Sequence, residues 1–355
     1  MTTAPRPPTR FDLDHDQLAE WLAGEPRYRV DQVWDGLHRQ FRHASELTNV
    51  PAALRSRLDE ELPLALETVT EAVSDDGSTV KLLSRLPGGA AIETVLMHYP
   101  DRTTVCVSTQ AGCAMACGFC ATGQGGFERQ LTVGEIVEQV IDAARRAGER
   151  RVSNIVFMGM GEPLANYDAT WGAVERLHGA VGISARHLTI STVGIVPGIR
   201  RLATESLPVN LAVSLHTAND AQRDELVPIN KRYPLTALAQ ACEEYLEAKG
   251  RRLSFEWAMI DGVNDSVRHV HELAGYARPL RAHVNLIPLN PTPGYPVRGS
   301  SPDRVRQFRD RLRDAGVNAT IRANRGTDID AACGQLRAES MGRLGRRRPS
   351  DEPNA

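Results

Sequence analysis

The chain has 355 residues, of which 41% are hydrophobic and 24% charged, and a formal net charge of −2. This length allows one large domain or two to three ordinary ones, while the near-neutral charge excludes whole-molecule attraction to nucleic acid and leaves any RNA contact to local patches. No apolar run is long enough to span a bilayer, and the opening "MTTAPRPPTRFDLDHDQ" has no apolar stretch after its arginines; the expected location is cytoplasmic, where clustered thiols point to metal or redox chemistry before structural disulfides.

Residues 1–65 read as helical. Val30, Val33, Trp34 and Leu37 fall at helical spacing in "YRVDQVWDGLHRQF", and "VPAALRSRLDEEL" makes a second short helix. Over 66–100 the pattern turns to strands, "ETVTEAV", "TVKLLSRL" and "AIETVLMHY", separated by the turns "SDDGS" and "PGGA". From Thr103, strands alternate with helices: "TTVCVST", "NIVFMG", "HLTIST", "VNLAVSLH", "RLSFEWAMI" and "HVNLIPLN". Thr132 and Glu135 form a capping box for the helix that follows "QLT". Ser301, Pro302 and Gly316 mark the start and stop of another. Six such units predict an α/β fold whose parallel sheet is open or curled into a partial (β/α)6 barrel, with its chemistry at the carboxyl ends of the strands. The core spans 101–323, and 324–355 is a C-terminal segment ending in a loose, arginine-rich tail.

The stretch "CVSTQAGCAMACGFC" holds four of the six cysteines. Cys113, Cys117 and Cys120 form C-x3-C-x2-C directly after a strand, so one loop can ligate one metal centre. Structural zinc prefers four ligands in separated pairs, and a bacterial ferredoxin pattern needs C-x2-C-x2-C plus a fourth cysteine. Three thiolates suit a [4Fe–4S] cluster with one iron left open. The placement and spacing resemble the radical S-adenosylmethionine (SAM) superfamily, in which SAM binds the open iron and is cleaved to a 5′-deoxyadenosyl radical. The loop "MGMGEPL" carries Gly159, Gly161 and Glu162 and lacks the third glycine of a dinucleotide fingerprint. A carboxylate there can hold an ammonium. Ser191, Ser214, Leu215, His216 and Asn290 lie at later strand ends and complete a candidate SAM pocket. Taken singly, His216 reads as a core histidine, and Cys106 and Cys242 as small buried hydrophobes.

"AIETV", "CVSTQAGCAMACGFCATGQGGFERQLTVGEI", "FMGMGEPL", "VSLH", "VNLIPLNP" and "RGTDIDAACGQL" together resemble the RlmN family over residues 90–335. The departure at Gly118, where relatives often carry a basic residue, leaves the ligand spacing intact. The resemblance implies methylation of carbon 2 of an adenosine in 23S rRNA, and of an adenosine in tRNA anticodon loops, with two SAM molecules per turnover. It implies an RNA-contacting N-terminal domain over 1–65, a methyl carrier at Cys333, a resolving thiol at Cys106 that forms a disulfide with it, and a base at Glu93. An electron donor such as flavodoxin or ferredoxin and a monomeric state are also expected. A Cfr-like enzyme methylating carbon 8 stays open, because the same tether reaches either carbon. So does a radical SAM oxidoreductase or maturase, which needs the cluster but neither Cys106 nor Cys333. No individual RNA contact is assigned: the arginines of 145–151 and of 304–313 read first as solvated helix faces.

Overall fold

The computed structural model describes residues 7–290, 292, 295, 297–323, 325–332 and 334–336. One ten-stranded sheet organises it. Strands β1 (Glu67–Val73), β2 (Thr79–Arg85), β3 (Ala91–His98) and β4 (Thr103–Cys106) pair antiparallel in sequence order. Beyond β4 the chain forms a separate ribbon, β5 (Gln110–Gly112) with β6 (Phe127–Gln130). It then returns to the main sheet as β7 (Val152–Phe157), β8 (Leu188–Thr192), β9 (Asn210–Ser214), β10 (Leu253–Met259), β11 (His283–Pro288) and β12 (Ala319–Ile321). From β4 through β12 every neighbouring pair in the main sheet is parallel. The six expected core strands are all present, and β12 adds a seventh parallel strand. Strands β1 to β3 are hydrogen-bonded onto the core through β3 and β4.

Helices connect the parallel strands, and most residues of these strands are buried. Strand β10 shows the effect: Leu253, Phe255, Trp257 and Met259 are all buried, as are Glu256 and Ala258 between them. The helix Val133–Arg146 begins at Thr132 with the reciprocal capping box formed by Glu135. The helix Pro302–Asp314 starts at Ser301, whose hydroxyl accepts from Arg304 N–H, and Gly316 follows with a left-handed φ of 80°.

The amino-terminal helices His15–Trp21, Tyr28–His38 and Ala52–Glu61 dock on this core. Val30, Val33 and Leu37 are buried and Trp34 half-buried, as the apolar stripe requires. Glu138, on the first core helix, accepts the amides of Ala65 and Leu66, both at 2.9 Å. Asp12 accepts from Gly134 N–H, and a side chain at Gly134 would collide with Asp12 at 2.5 Å. That contact needs glycine. Arg176 donates to the carbonyls of Phe11 and Leu13 and lies over the Trp34 ring.

Candidate functional site

The ribbon β5–β6 clasps the base of the cysteine loop. Gly112 has φ 73°, and a Cβ there would sit 2.0 Å from Gly126 O, so only glycine lets the two strands meet. Cys113 N–H donates to Gly126 O at 2.7 Å, and the loop then turns through Ala116 in the left-handed region, φ 54°. A non-glycine residue held there costs about 1 kcal/mol. Cys120 N–H bonds back to Cys117 O, and Gln124 Nε2 donates to Gly118 O. The result is a tight loop whose three thiols line one cavity of about 160 Å³. Cys117 is buried; Cys113 and Cys120 are half-buried.

Burial pushes the Cys113 thiol up to about 12, with the Cys120 and Glu162 charges adding to it, and pushes Cys117 higher still. At neutral pH these thiols ionise only when a cation binds them. Among the described residues, no three His, Cys, Asp or Glu side chains converge on a single metal ion. Three thiols lining one cavity supply the three-thiolate donor set of a cluster with one iron left open. The donor set therefore fits a [4Fe–4S] cluster held by Cys113, Cys117 and Cys120.

The ends of successive parallel strands line the rest of the same cavity, which requires the open sheet to curl. Gly161, Glu162, Ser191, Ser214, His216 and Asn290 all face it. Gly161 has φ 101°, and a Cβ there would lie 2.6 Å from Gln110 Cβ. Gln110 in turn accepts from Glu162 N–H at 2.8 Å, locking the loop against β5. The Glu162 carboxylate is buried; Oε1 accepts from Leu164 N–H at 3.0 Å and Oε2 from Val193 N–H at 2.8 Å. Burial raises its pKa to about 7, against hydrogen bonds that pull it down. His216 is a buried non-glycine residue at φ 61°. Its Nδ1 accepts from Ala258 N–H, and burial lowers its pKa to about 3, so the ring is neutral. Leu215 does not line the cavity. Its side chain is in the core, its N–H donates to Glu256 O, and its carbonyl accepts from Arg223.

Sequence reasoning missed three charged residues of this region. Glu256 and Arg322 line the cavity. Arg223 is fully buried and donates to the carbonyls of Val193, Ser214 and Leu215. A charge inside the apolar run "LSFEWAM" was the available signal for Glu256. Arg322 follows β12, a strand too short to announce itself.

A second group lies on the antiparallel part of the sheet. Lys81 in β2 and Cys106 in β4 both pair with Val95 in β3. Directly opposed residues point to one face, and so does Glu93, two positions before Val95. The register thus gathers Lys81, Glu93 and Cys106 on a single face. Lys81 Nζ is 3.2 Å from Glu93 Oε1. Ser108 donates its hydroxyl to Glu93 O at 2.7 Å and accepts from Met160 N–H, connecting this face to the glycine loop. Glu93 is buried, although read singly its place in the strand suggests an exposed glutamate. Cys333 lies outside the described residues, but both of its flanks are within them. On one side Arg325 donates to Ser78 and His98 O, Asp328 accepts from Asp75 N–H, and Asp330 O accepts from Lys81. On the other, Gly334 O accepts from Ala121 N–H, Leu336 O accepts from Thr122, and Gly334 lines the cavity.

The Radical SAM superfamily profile matches residues 107–274. A Sphaerobacter thermophilus radical SAM methyltransferase superposes with a TM-score of 0.91 at 52% identity, covering 94% of this chain and all of that one. A Myxococcus xanthus protein named dual-specificity RNA methyltransferase RlmN 1 is 50% identical over 338 residues, covering 92% of this chain and 94% of its own. The chain belongs to the RlmN family. A second member, from Frankia casuarinae and named "probable dual-specificity RNA methyltransferase RlmN", is 52% identical over 335 residues, covering 90% of this chain and 80% of its own. As a radical SAM enzyme of this family, the chain uses a [4Fe–4S] cluster and SAM.

Five of the nine arginines in the stretches 145–151 and 304–313 pair with carboxylates of the chain. Arg145 pairs with Glu46, Arg146 with Glu71 and Asp142, Arg304 with Asp265, Arg306 with Asp303 and Arg309 with Asp310. Such pairing weakens them as phosphate sites without removing their charge. No helix among the described residues is long and apolar enough to cross a membrane.

Proposed function

We propose that this RlmN-family enzyme methylates carbon 2 of adenosine in 23S rRNA, and of an adenosine in tRNA, through a cysteine carrier. Carbon 2 of adenine is electron-poor and does not attack an electrophilic methyl group, so a polar transfer is closed. The bound cofactors supply an electrophilic methyl and, after one-electron reduction, a hydrogen-abstracting radical. The Cys333 thiolate takes the methyl, forming an S–CH3 bond. After hydrogen abstraction from that methyl, its carbon bonds to the adenine ring and tethers RNA to Cys333. Loss of the ring proton to Glu93, with one electron returned to the redox centre that supplied it, restores the aromatic ring. Cys106 then attacks the Cys333 sulfur: the S–S bond forms, the C–S bond breaks, and the carbon keeps the electron pair and is protonated to methyl. Net oxidation falls on two thiols, which end as a disulfide. The target base must leave its stack to reach such a site.

The observation that supports this reading is the course of the segment around Cys333. Its described flanks are fastened to the face holding Glu93 and Cys106 on one side, and to the cysteine-loop helix on the other. A carrier serving both groups needs such an attachment. The test is to digest rRNA and tRNA treated with reconstituted enzyme and compare nucleosides with synthetic 2- and 8-methyladenosine. The 2-isomer is expected. The 8-isomer would assign the Cfr-like reaction, and no methyladenosine would remove RNA methylation.

A further inference from the structure

Lysine is rare in this chain, occurring only at Lys81, Lys231 and Lys249. Lys81 lies in a largely buried ion pair: its side chain is 15% exposed and that of Glu93 5%, at 3.2 Å. The pairing register produces it. Lys81 opposes Val95, and Glu93 is two residues earlier on the same strand, so the two side chains are diagonal neighbours on one face. The ammonium has a second acceptor, the Asp330 carbonyl at 3.2 Å, three residues before Cys333. One cation thus connects the Glu93 carboxylate to the segment that carries Cys333. A purely structural surface pair would need neither the burial nor the second anchor. An arginine fork here would spread its donors over a plane, whereas the ammonium offers one compact centre to two acceptors.

We propose that Lys81 is a positioning residue for proton removal from the adenine ring. It fixes the Glu93 carboxylate relative to the carrier segment through its bond to Asp330. This rests on the carrier reading above, and it adds a residue that acts only through Glu93. Lys81 then matters after the RNA tether has formed and not before.

The test uses the full chain with its cluster reconstituted, SAM and protein-free 23S rRNA. Two quantities are read for wild type, Lys81→Met, Glu93→Gln, Lys81→Met/Glu93→Gln and Lys81→Arg: S-methylation of Cys333 without RNA, and methyladenosine formed with RNA. Loss of a general base lowers rates by about 100-fold or more, so Glu93→Gln should fall by that order and Lys81→Met by about tenfold or more. Cys333 methylation should stay within about twofold of wild type throughout, because that step precedes any use of Glu93. The double variant should be no slower than Glu93→Gln alone, since residues acting as a unit do not add. Lys81→Arg should recover part of the loss. The double variant also carries no unpaired buried charge, so it still tests the proposal if Lys81→Met fails to fold. Wild-type turnover in Lys81→Met beside an impaired Glu93→Gln overturns the role of Lys81 and leaves the carrier reading standing. Fully multiplied losses in the double variant, or loss of Cys333 methylation in Lys81→Met, overturn it as well. Wild-type turnover in Glu93→Gln removes the base assignment and this inference together.

Discussion

Glu162 offers the most quantitative test of the proposal that this cavity holds SAM. Its carboxylate is buried, accepts amides from Leu164 and Val193, and has a pKa raised to about 7 by burial. An ammonium in the cavity favours the ionised form, so SAM binding must displace the proton. With a pKa near 7, about 90% of the group is ionised at pH 8 and about 10% at pH 6, which predicts roughly tenfold weaker SAM binding at pH 6 and release of about half a proton at pH 7. Glu162→Gln keeps the volume but loses the charge and one acceptor; a charge-assisted hydrogen bond is worth about 2 kcal/mol, or about 30-fold in affinity. It should also flatten the pH slope. Titration calorimetry of cluster-loaded protein at pH 6, 7 and 8, in two buffers of different ionisation enthalpy, reads both quantities. An unchanged wild-type affinity across this range, or a slope that survives in Glu162→Gln, would refute the reasoning.

Other outcomes follow from single contacts. Glu138 is buried with its pKa raised to about 7; because the folded value exceeds the unfolded one, its contribution is fully present below about pH 4.5 and lost as pH rises through 7. At 1.36 kcal/mol per unit this is about 3 kcal/mol, so urea midpoints of apo protein between pH 5 and 8 should fall for wild type and fall less for Glu138→Gln. Gly161→Ala must hold φ 101° with its Cβ against Gln110; it should cost about 1–3 kcal/mol, seen as a lowered Tm, together with weaker SAM binding. Thr132→Ala removes the cap of the Val133–Arg146 helix and should cost about 1 kcal/mol in urea unfolding. Cys117→Ala should abolish bound iron while leaving far-UV circular dichroism intact, because the main core does not depend on the cysteine loop.

The long strands were legible because β-branched and apolar residues run between clear turns, and the helix starts because Thr132 and Ser301 announce their own caps. Strands β5, β6 and β12 were not. Each has only three or four residues, too few for an alternation to show, and the pairing of β5 with β6 depends on Gly112 and Gly126 approaching through space. Part of the cavity lining was legible, since Gly161, Glu162, Ser191, Ser214, His216 and Asn290 lie at or just beyond the ends of strands that the pattern locates. Leu215 faces inward because its neighbour His216 takes the left-handed turn at the strand end. The burial of Glu93 was hidden for a different reason. Its strand is covered on both faces: Thr94 bonds to Gln139 of the core helix, and Glu93 meets Lys81 under the carrier segment. No local pattern encodes a cover that arrives from more than two hundred residues away.

The account turns on Cys333 as methyl carrier, and one measurement addresses it most directly. Protein loaded with iron and sulfide under anaerobic conditions is given SAM without RNA, and peptide masses are obtained across 324–337. The account predicts a gain of one methylene mapped to Cys333. An unmodified Cys333 in protein with a full cluster and bound SAM would contradict it and leave a radical SAM enzyme that reaches its product by another route.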